Sequence, residues 1–379
     1  MKVLHTSDWH VGKLLRGMSR LEEHRAVLGE IAEIAARERV DLVLVVGDLF
    51  ETAAPPPEAQ AVVWDALLAL RATGAAVVVV GGNHDQQAQL DAVAPVFAQL
   101  GIHVVGLPSL DRGVADVAGA RVVMLPWVSQ RWAIKSEQLM GATAAATAQY
   151  YAARVARLLA HLSESFAVDT INIVAAHCMV QGGTLGGGER DAQLIDEYLV
   201  PAAAFPAAAN YVALGHLHRT QNIAGAAPIW YSGSPIQVDF GEEKDTKHVL
   251  LVDIPDRGAA KVTAVPLTTG WTLRTVRGTY AELEALAAKV GDAWLRVEVR
   301  DPARPGLADD VRALLPNAVD VRIAPEAQST DDAPPPVTRS GVQPRELFGS
   351  YLDVTNVARD ERLLALFDEL LDAETAGTT

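Results

Sequence analysis

The sequence predicts a layered α/β fold, and two observations carry that prediction. Short β-branched runs recur along the first 265 or so residues, and several are apolar throughout rather than alternating. That is the pattern of strands covered on both faces. Longer stretches of helical periodicity separate them. The runs are Val3–Thr6, Leu42–Val46, Ala76–Val80, Ile102–Val105, Arg121–Leu125, Ile171–Ala176, Tyr211–Leu214 and His248–Val252. Between the first two, Val27, Leu28, Ile31, Ile34 and Ala35 recur at helical spacing within Leu21–Arg39. The Ala-rich stretch Gly141–Leu162 has the same character.

The pattern shifts near Thr268. Residues 271–277, 294–299 and 318–323 read as strands, with helices over Tyr280–Val290 and Leu307–Leu315. That makes a small appended α/β unit. Residues 327–344 (AQSTDDAPPPVTRSGVQP) are rich in Pro, Ser, Thr and Asp, have little to bury and read as a linker. Two amphipathic segments follow within 345–379. Leu347, Phe348, Tyr351 and Leu352 form one apolar face, and Leu363, Leu366, Phe367 and Leu370 form a second. A tethered helix pair either folds back on the body or docks on another chain.

Composition narrows the class. The chain has 379 residues, half of them hydrophobic and 6% aromatic, which suffices for a sizeable core and excludes general disorder. The single Cys178 excludes a disulfide scaffold. No apolar run approaches the roughly 20 residues of a membrane span. Asp8 falls where a signal peptide needs its apolar stretch. The expectation is a soluble, cytoplasmic protein with no membrane association. With 32 Lys+Arg against 47 Asp+Glu, the net charge of −15 argues mildly against nucleic-acid binding by bulk charge. It leaves room for a local basic patch, a metal-assisted site, or a partner that supplies positive surface.

Five motifs sit just past the ends of the buried runs. Asp8 and His10 follow the first, Asp48 (GDLF) the second, and Asn83, His84 and Asp85 (GNHD) the third. His177 follows Ile171–Ala176, and His216 and His218 (GHLH) follow Tyr211–Leu214. In open α/β sheets ligands bind at the carboxyl ends of strands. The donors are oxygen and nitrogen only, which suits Mn, Fe, Zn or Co and disfavours a zinc finger or a pure calcium site. Seven ligands are too many for one ion and suit two ions sharing a bridging carboxylate, a recurrent device for phosphate ester hydrolysis. Each motif alone has a plainer explanation. Asp8 fits a helix cap, GNHD an Asx turn, and His177 a satisfied core histidine. The conjunction, in this order, is what points to a metal site.

SDWH, GDLF, GNHD, AAHC and GHLH, spanning Ser7 to His218, together resemble the signature of the calcineurin-like metallophosphoesterases. SDWHVGK, the stretch Gly233–Ile254 and the appended domain with its helical tail resemble, within them, the bacterial nuclease subunits that work with an SbcC-type coiled-coil ATPase. The resemblance implies a layered β-sandwich metallophosphoesterase domain flanked by helices (1–267), a small α/β capping domain (268–326), the linker (327–344) and C-terminal helices that dock on the partner's coiled coil (345–379). It implies two divalent ions, Mn²⁺ by family habit. Asp8, His10, Asp48 and His218 would hold one, and Asp48, Asn83, His177 and His216 the other. His84 would stand beside the scissile phosphate, donating a proton or stabilising charge. It further implies a homodimer within a heterotetramer, with 3′–5′ exonuclease action on duplex ends and endonuclease action on single strands or hairpins.

Several points stay open on the residues alone. Asp85 either orients His84 or caps the following helix. Archaeal and eukaryotic members of the resembling family carry a histidine directly after GDLF, where this chain has Glu51. Lys13, Arg16, Arg20 and Arg25 form a basic stretch that reads as a DNA contact or as a solvated face. Arg131, Lys135 and Arg190 are further candidates for DNA contact. A stand-alone phosphatase or cyclic-nucleotide phosphodiesterase shares the five motifs but has no need of residues 268–379. A non-catalytic scaffold would have no need of the full ligand set.

Overall fold

The computed structural model describes residues 1–129, 144–187, 189, 198–255, 259–324, 345, 348–349, 352 and 359–368. They fall into two compact units, Met1–Ala324 and Pro325–Thr379.

The first unit is built on two six-stranded sheets. One contains β1 (Lys2–Thr6), β4 (Leu42–Val46), β5 (Ala76–Val80), β6 (Ile102–Val105), β13 (His248–Asp253) and β14 (Lys261–Pro266), in the order β14-β13-β1-β4-β5-β6. The other contains β7 (Val114–Val117), β8 (Ala120–Leu125), β9 (Ile171–His177), β10 (Tyr211–Gly215), β11 (Gln221–Ile223) and β12 (Ile229–Tyr231), in the order β11-β12-β10-β9-β8-β7. Strands β1, β4, β5 and β6 pair in parallel, as do β8, β9, β10 and β12. Their carboxyl ends therefore gather at one edge of each sheet.

Three apolar layers hold this arrangement. Leu42, Leu44, Val46, Val78 and Val80 of the first sheet meet Val122, Met124, Ile173, Ala175 and Ala213 of the second between the sheets. On the outside of the first sheet, alternate residues such as Val43, Val45, Val77 and Val79 pack against helices α1 (Leu21–Glu38) and α2 (Pro57–Ala72), with α3 (Gln87–Gln99) contributing Leu90 and Phe97. On the outside of the second, Val123, Leu125 and Val174 pack against Tyr151, Val155 and Leu159 of α4 (Ala144–Leu162). Helix, sheet, sheet, helix is the order of layers. It explains the apolar runs, because each central strand is covered on both faces.

A two-stranded hairpin, β2 (Leu14–Leu15) with β3 (Met18–Ser19), follows the first motif. The appended unit is a parallel three-stranded sheet of β15 (Leu273–Gly278), β16 (Trp294–Val299) and β17 (Ala318–Ile323). One face packs on α5 (Tyr280–Leu286) and α6 (Leu307–Leu314) through Val276, Leu283, Val297 and Val311. A capping box, Thr279 with Glu282, starts α5. Carboxylates of α1 hold the connection to this unit. Glu30 accepts from the Thr268 and Thr269 amides, and Glu23 accepts from the Trp271 amide at 2.9 Å.

In the second unit, residues 361–368 are helical, as are 345, 348, 349 and 352. Phe348 stacks on Phe367 with ring centroids 4.3 Å apart, and Arg345 pairs with Glu361 and Asp368. Leu364 is buried and Leu366 is exposed. Leu347, Tyr351, Leu370 and the linker 327–344 lie outside the described residues.

Candidate metal centre

The loops that leave β1 and β4 are zipped together. The Asp8, His10 and Val11 amides donate to the Gly47, Asp48 and Leu49 carbonyls at 3.0, 2.9 and 3.0 Å. The zipper forces Asp8, His10 and Asp48 to φ values of 54°, 48° and 51°, and His216 stands at 112°. Such backbone costs on the order of 1–3 kcal/mol per residue and clusters at functional sites. Neighbouring glycines allow the close approach. A Cβ on Gly47 would lie 2.0 Å from His177 Nδ1, and one on Gly82 would lie 2.1 Å from Asp48 Oδ1.

Five strand ends thus deliver buried side chains to one place. Asp8, His10 and His218 form one cluster of potential ligand atoms, and Asp48, His177 and His216 another. Asp48 lies between them, its Oδ2 3.8 Å from His10 Nε2 and 3.4 Å from His177 Nε2. Asn83 joins the second cluster, its Oδ1 2.9 Å from both His177 Nε2 and His216 Nδ1. His177, which the sequence alone leaves open as a core histidine, is one of the converging groups.

Outer hydrogen bonds orient the imidazoles. His177 Nδ1 donates to the Val46 carbonyl at 2.9 Å, His218 Nδ1 to Glu242 Oε1 at 2.9 Å, and His10 Nδ1 to Glu51 Oε2 at 3.0 Å. In each case Nε2 is left to face inward, the arrangement that metal-ligating histidines use. His10 Nε2 and His218 Nε2 stand 3.0 Å apart. Two such lone pairs repel unless a proton or cation lies between them. A metal–nitrogen distance of about 2.1 Å with a right angle at the ion spaces two ligands by about 3.0 Å. His216 Nε2 is buried without a partner. The donor set therefore fits two divalent cations.

Electrostatics agree with that fit. Burial pulls His10 down to about 4 and His216 down to about 3, so both imidazoles are neutral near pH 7. Burial pulls His177 down as well, but the adjacent Asp48 carboxylate more than reverses this, to about 9. Burial pushes Asp8 up to about 6. Burial would also raise Asp48, yet its His177 neighbour holds it well below the usual carboxylate range. Protons and cations compete for these donors.

His84 forms a third cluster of potential ligand atoms with His10 and Asp48. Its amide donates to Asp48 Oδ1 at 2.8 Å, and its Nδ1 lies 2.8 Å from the Glu51 carbonyl. Its ring meets that of His10 edge-on, 4.6 Å between centroids. Asp85 does neither thing expected of it. Its carboxylate accepts from the amides of Gly82 (2.8 Å), Phe50 (3.0 Å) and Leu49 (3.3 Å), while α3 begins after Gln86 without a side-chain cap. It pins the GDLF loop to the GNHD loop.

The basic stretch also needs correction. Arg20 is fully buried, paired with Glu23 through two 2.7 Å hydrogen bonds and donating to the Gln237 carbonyl. It is an internal brace, not a DNA contact. Arg16 is exposed but bonded to Asp320 at 3.1 Å, and Lys13 is bonded to Glu51 at 2.9 Å. Arg131, Lys135 and Arg190 lie outside the described residues. Two residues of the site escape the sequence reading. Glu242 orients His218 and is itself held by Lys247 at 2.6 Å. Trp127 stacks on His216, 5.1 Å between centroids. Trp127 follows β8 at the same edge as the ligands, and that position is the signal that could have found it.

Fold and site together define a metallophosphoesterase, a hydrolase acting on phosphodiester bonds. Residues 1–219 match the family model for calcineurin-like phosphoesterases, and residues 271–356 match one described as the type 5 capsule protein repressor C-terminal domain. The chain is 31% identical to SbcD of the nuclease SbcCD from Bacillus subtilis, over 98% of this chain and 97% of that one. It is 36% identical to SbcD of Rhodobacter capsulatus, over 76% and 75%. SbcD of Escherichia coli K12 is 30% identical, over 79% and 78%. The chain belongs to the SbcD family of nuclease subunits. Among solved structures, a dimetal phosphatase from Danio rerio aligns with 71% of this chain and 99% of its own at a TM-score of 0.42 and 12% identity.

Proposed function

We propose that this chain is the Mn²⁺-dependent nuclease subunit of a DNA-processing complex and acts with an SbcC-type coiled-coil ATPase in DNA repair, recombination and replication. The observation that carries the reading is the placement of Asp48 between two histidine clusters, with His84 beside them. Asp8, His10, Asp48 and His218 would hold one ion, and Asp48, Asn83, His177 and His216 the other. Bound there, two divalent cations neutralise the phosphodiester and activate and orient the attacking water.

The chain's own residues do the rest. Glu242, Glu51 and the Val46 carbonyl hold three imidazoles with Nε2 inward. Asp85 keeps the two loops at fixed spacing. His84 donates a proton to the leaving sugar oxygen, a strong base whose departure protonation assists. Its substrates on this reading are duplex ends, degraded 3′–5′, and single strands or hairpins, cut internally.

The domain assignment follows the same reading: nuclease domain 1–267, capping domain 268–326, linker 327–344, and helices 345–379 docking on the partner's coiled coil. Two copies would form a homodimer within a heterotetramer in the cytoplasm. The names of the relatives support the partner, and among the described residues no helix is long and apolar enough to cross a membrane. The deciding experiment is DNA cleavage by the purified complex with Mn²⁺, with EDTA, and with His84→Ala. Cleavage should vanish with EDTA and fall about 10²–10⁴-fold in His84→Ala. A His84→Ala variant that binds metal and cleaves at the parent rate overturns the assignment of the acid.

A further inference from the structure

We infer that Glu51 is a positioning residue that sets two histidines of the centre through two different atoms, its carboxylate fixing His10 and its main-chain carbonyl fixing His84. The inference rests on the proposed metal centre and adds to it a residue outside the ligand set.

The geometry is specific. Glu51 Oε2 lies 3.0 Å from His10 Nδ1, and Oε1 lies 2.9 Å from Lys13 Nζ. The main-chain oxygen of the same residue lies 2.8 Å from His84 Nδ1, while its carboxylate stands 3.9 Å from that nitrogen. His10 therefore depends on the side chain, and His84 on the backbone.

These two supports are mechanically independent. The backbone at Glu51 is held without its carboxylate. The Glu51 amide donates to the Val11 carbonyl at 3.1 Å, and Asp85 grips the Leu49 and Phe50 amides just before it. Truncating the side chain should leave the carbonyl where it is. The carboxylate is held chiefly by Lys13, which comes from the same loop as His10. Lys13 is mostly covered and already committed to this pair, its side chain 24% exposed against 18% for Glu51. Its role on this reading is to fix the carboxylate that fixes His10.

A lysine–glutamate pair at a site's rim often contributes little and matters only to local stability. That plainer explanation and the positioning role separate by which ion responds. Loss of an outer partner to a ligating histidine typically weakens metal binding about 10–100-fold. Here that loss should fall on the ion held through His10 and spare the ion held through Asn83, His177 and His216.

The test is calorimetric titration of Mn²⁺ into the full-length parent, Glu51→Ala and Glu51→Gln, with thermal melts of each metal-free protein. We expect Glu51→Ala to weaken one of two binding events about 10–100-fold while the other keeps its affinity. Glu51→Gln retains an acceptor for His10 Nδ1–H and should recover much of the loss. The inference is overturned if folded Glu51→Ala binds both ions as the parent does, or loses both equally. It is also overturned if Glu51→Gln shows no recovery. A parent that binds fewer than two ions would instead sink the metal-centre reading, so the two failures are distinguishable.

Discussion

Gly82→Ala should disable the centre by displacing Asp48 or the loop that carries Gly82. Gly82 does not occupy the left-handed region, so its backbone accepts alanine and the only new feature is one methyl group. That Cβ would sit 2.1 Å from Asp48 Oδ1 and 2.3 Å from the Asp48 amide, where ordinary contact begins at 3.4 Å. Asp48 must therefore retreat by about 1.3 Å, or the GNHD loop must move by as much. Metal sites tolerate roughly 0.2 Å of ligand displacement. A misplacement of about 1 Å costs on the order of 10²-fold in rate. Because Asp48 faces both clusters, both binding events should weaken together. The assay pairs Mn²⁺ calorimetry with cleavage of a labelled duplex. Gly29→Ala serves as control, since Gly29 is exposed on α1 with nothing within 4 Å of its would-be Cβ. That change should stabilise the protein by about 1 kcal/mol and leave cleavage alone. A folded Gly82→Ala protein that binds two ions and cleaves at the parent rate would refute the placement of Asp48.

Three further outcomes are expected. Glu242→Ala should weaken metal binding about 10–100-fold by releasing His218, and should lower the melting temperature by stranding Lys247; adding Lys247→Met should restore the melting temperature but not the affinity. Arg20→Met should cost about 3–5 kcal/mol in urea unfolding, because it leaves Glu23 buried and unpaired, while the salt dependence of DNA binding stays that of the parent. Mn²⁺ at 100 times its dissociation constant should stabilise the metal-free protein by about 2.7 kcal/mol per ion in thermal melts, and EDTA should reverse the gain.

Strand positions were legible where burial on both faces leaves no polar residue to interrupt a run. Leu42–Val46 and Ala76–Val80 coincide with β4 and β5. The edge strands β14 and β11 were not. Lys261–Pro266 exposes most of its residues, and Gln221–Ile223 is only three residues long, so neither carries a hydrophobic signature. The converging candidate ligands were legible because residue type and strand-end position coincide five times. Glu51 and Glu242 were not, since a carboxylate among 47 acidic residues acquires meaning only from what the fold sets against it. Arg20 shows the same limit from the other side. Its partner Glu23 was visible at i+3, but that spacing fits a solvated helix face as well as a buried brace.

The fate of the basic residues bears on how so acidic a chain can work on a polyanion. Lys13, Arg16 and Arg20 are each committed to a carboxylate, of Glu51, Asp320 and Glu23. Around the centre Glu51 and Glu242 are paired with Lys13 and Lys247, which leaves Asp8 and Asp48 as the carboxylates of the two clusters. Two divalent ions bound there would bring a charge of about +4, more than the two aspartates carry, and would make the centre cationic. Attraction for the scissile phosphate is then confined to the place where it is cut, while the rest of the acidic surface discourages binding elsewhere. Such a subunit gains little from holding DNA by itself. The physical argument for a partner that supplies cationic surface is that Lys13, Arg16 and Arg20, the basic residues that follow the first motif, are each spent on holding the architecture.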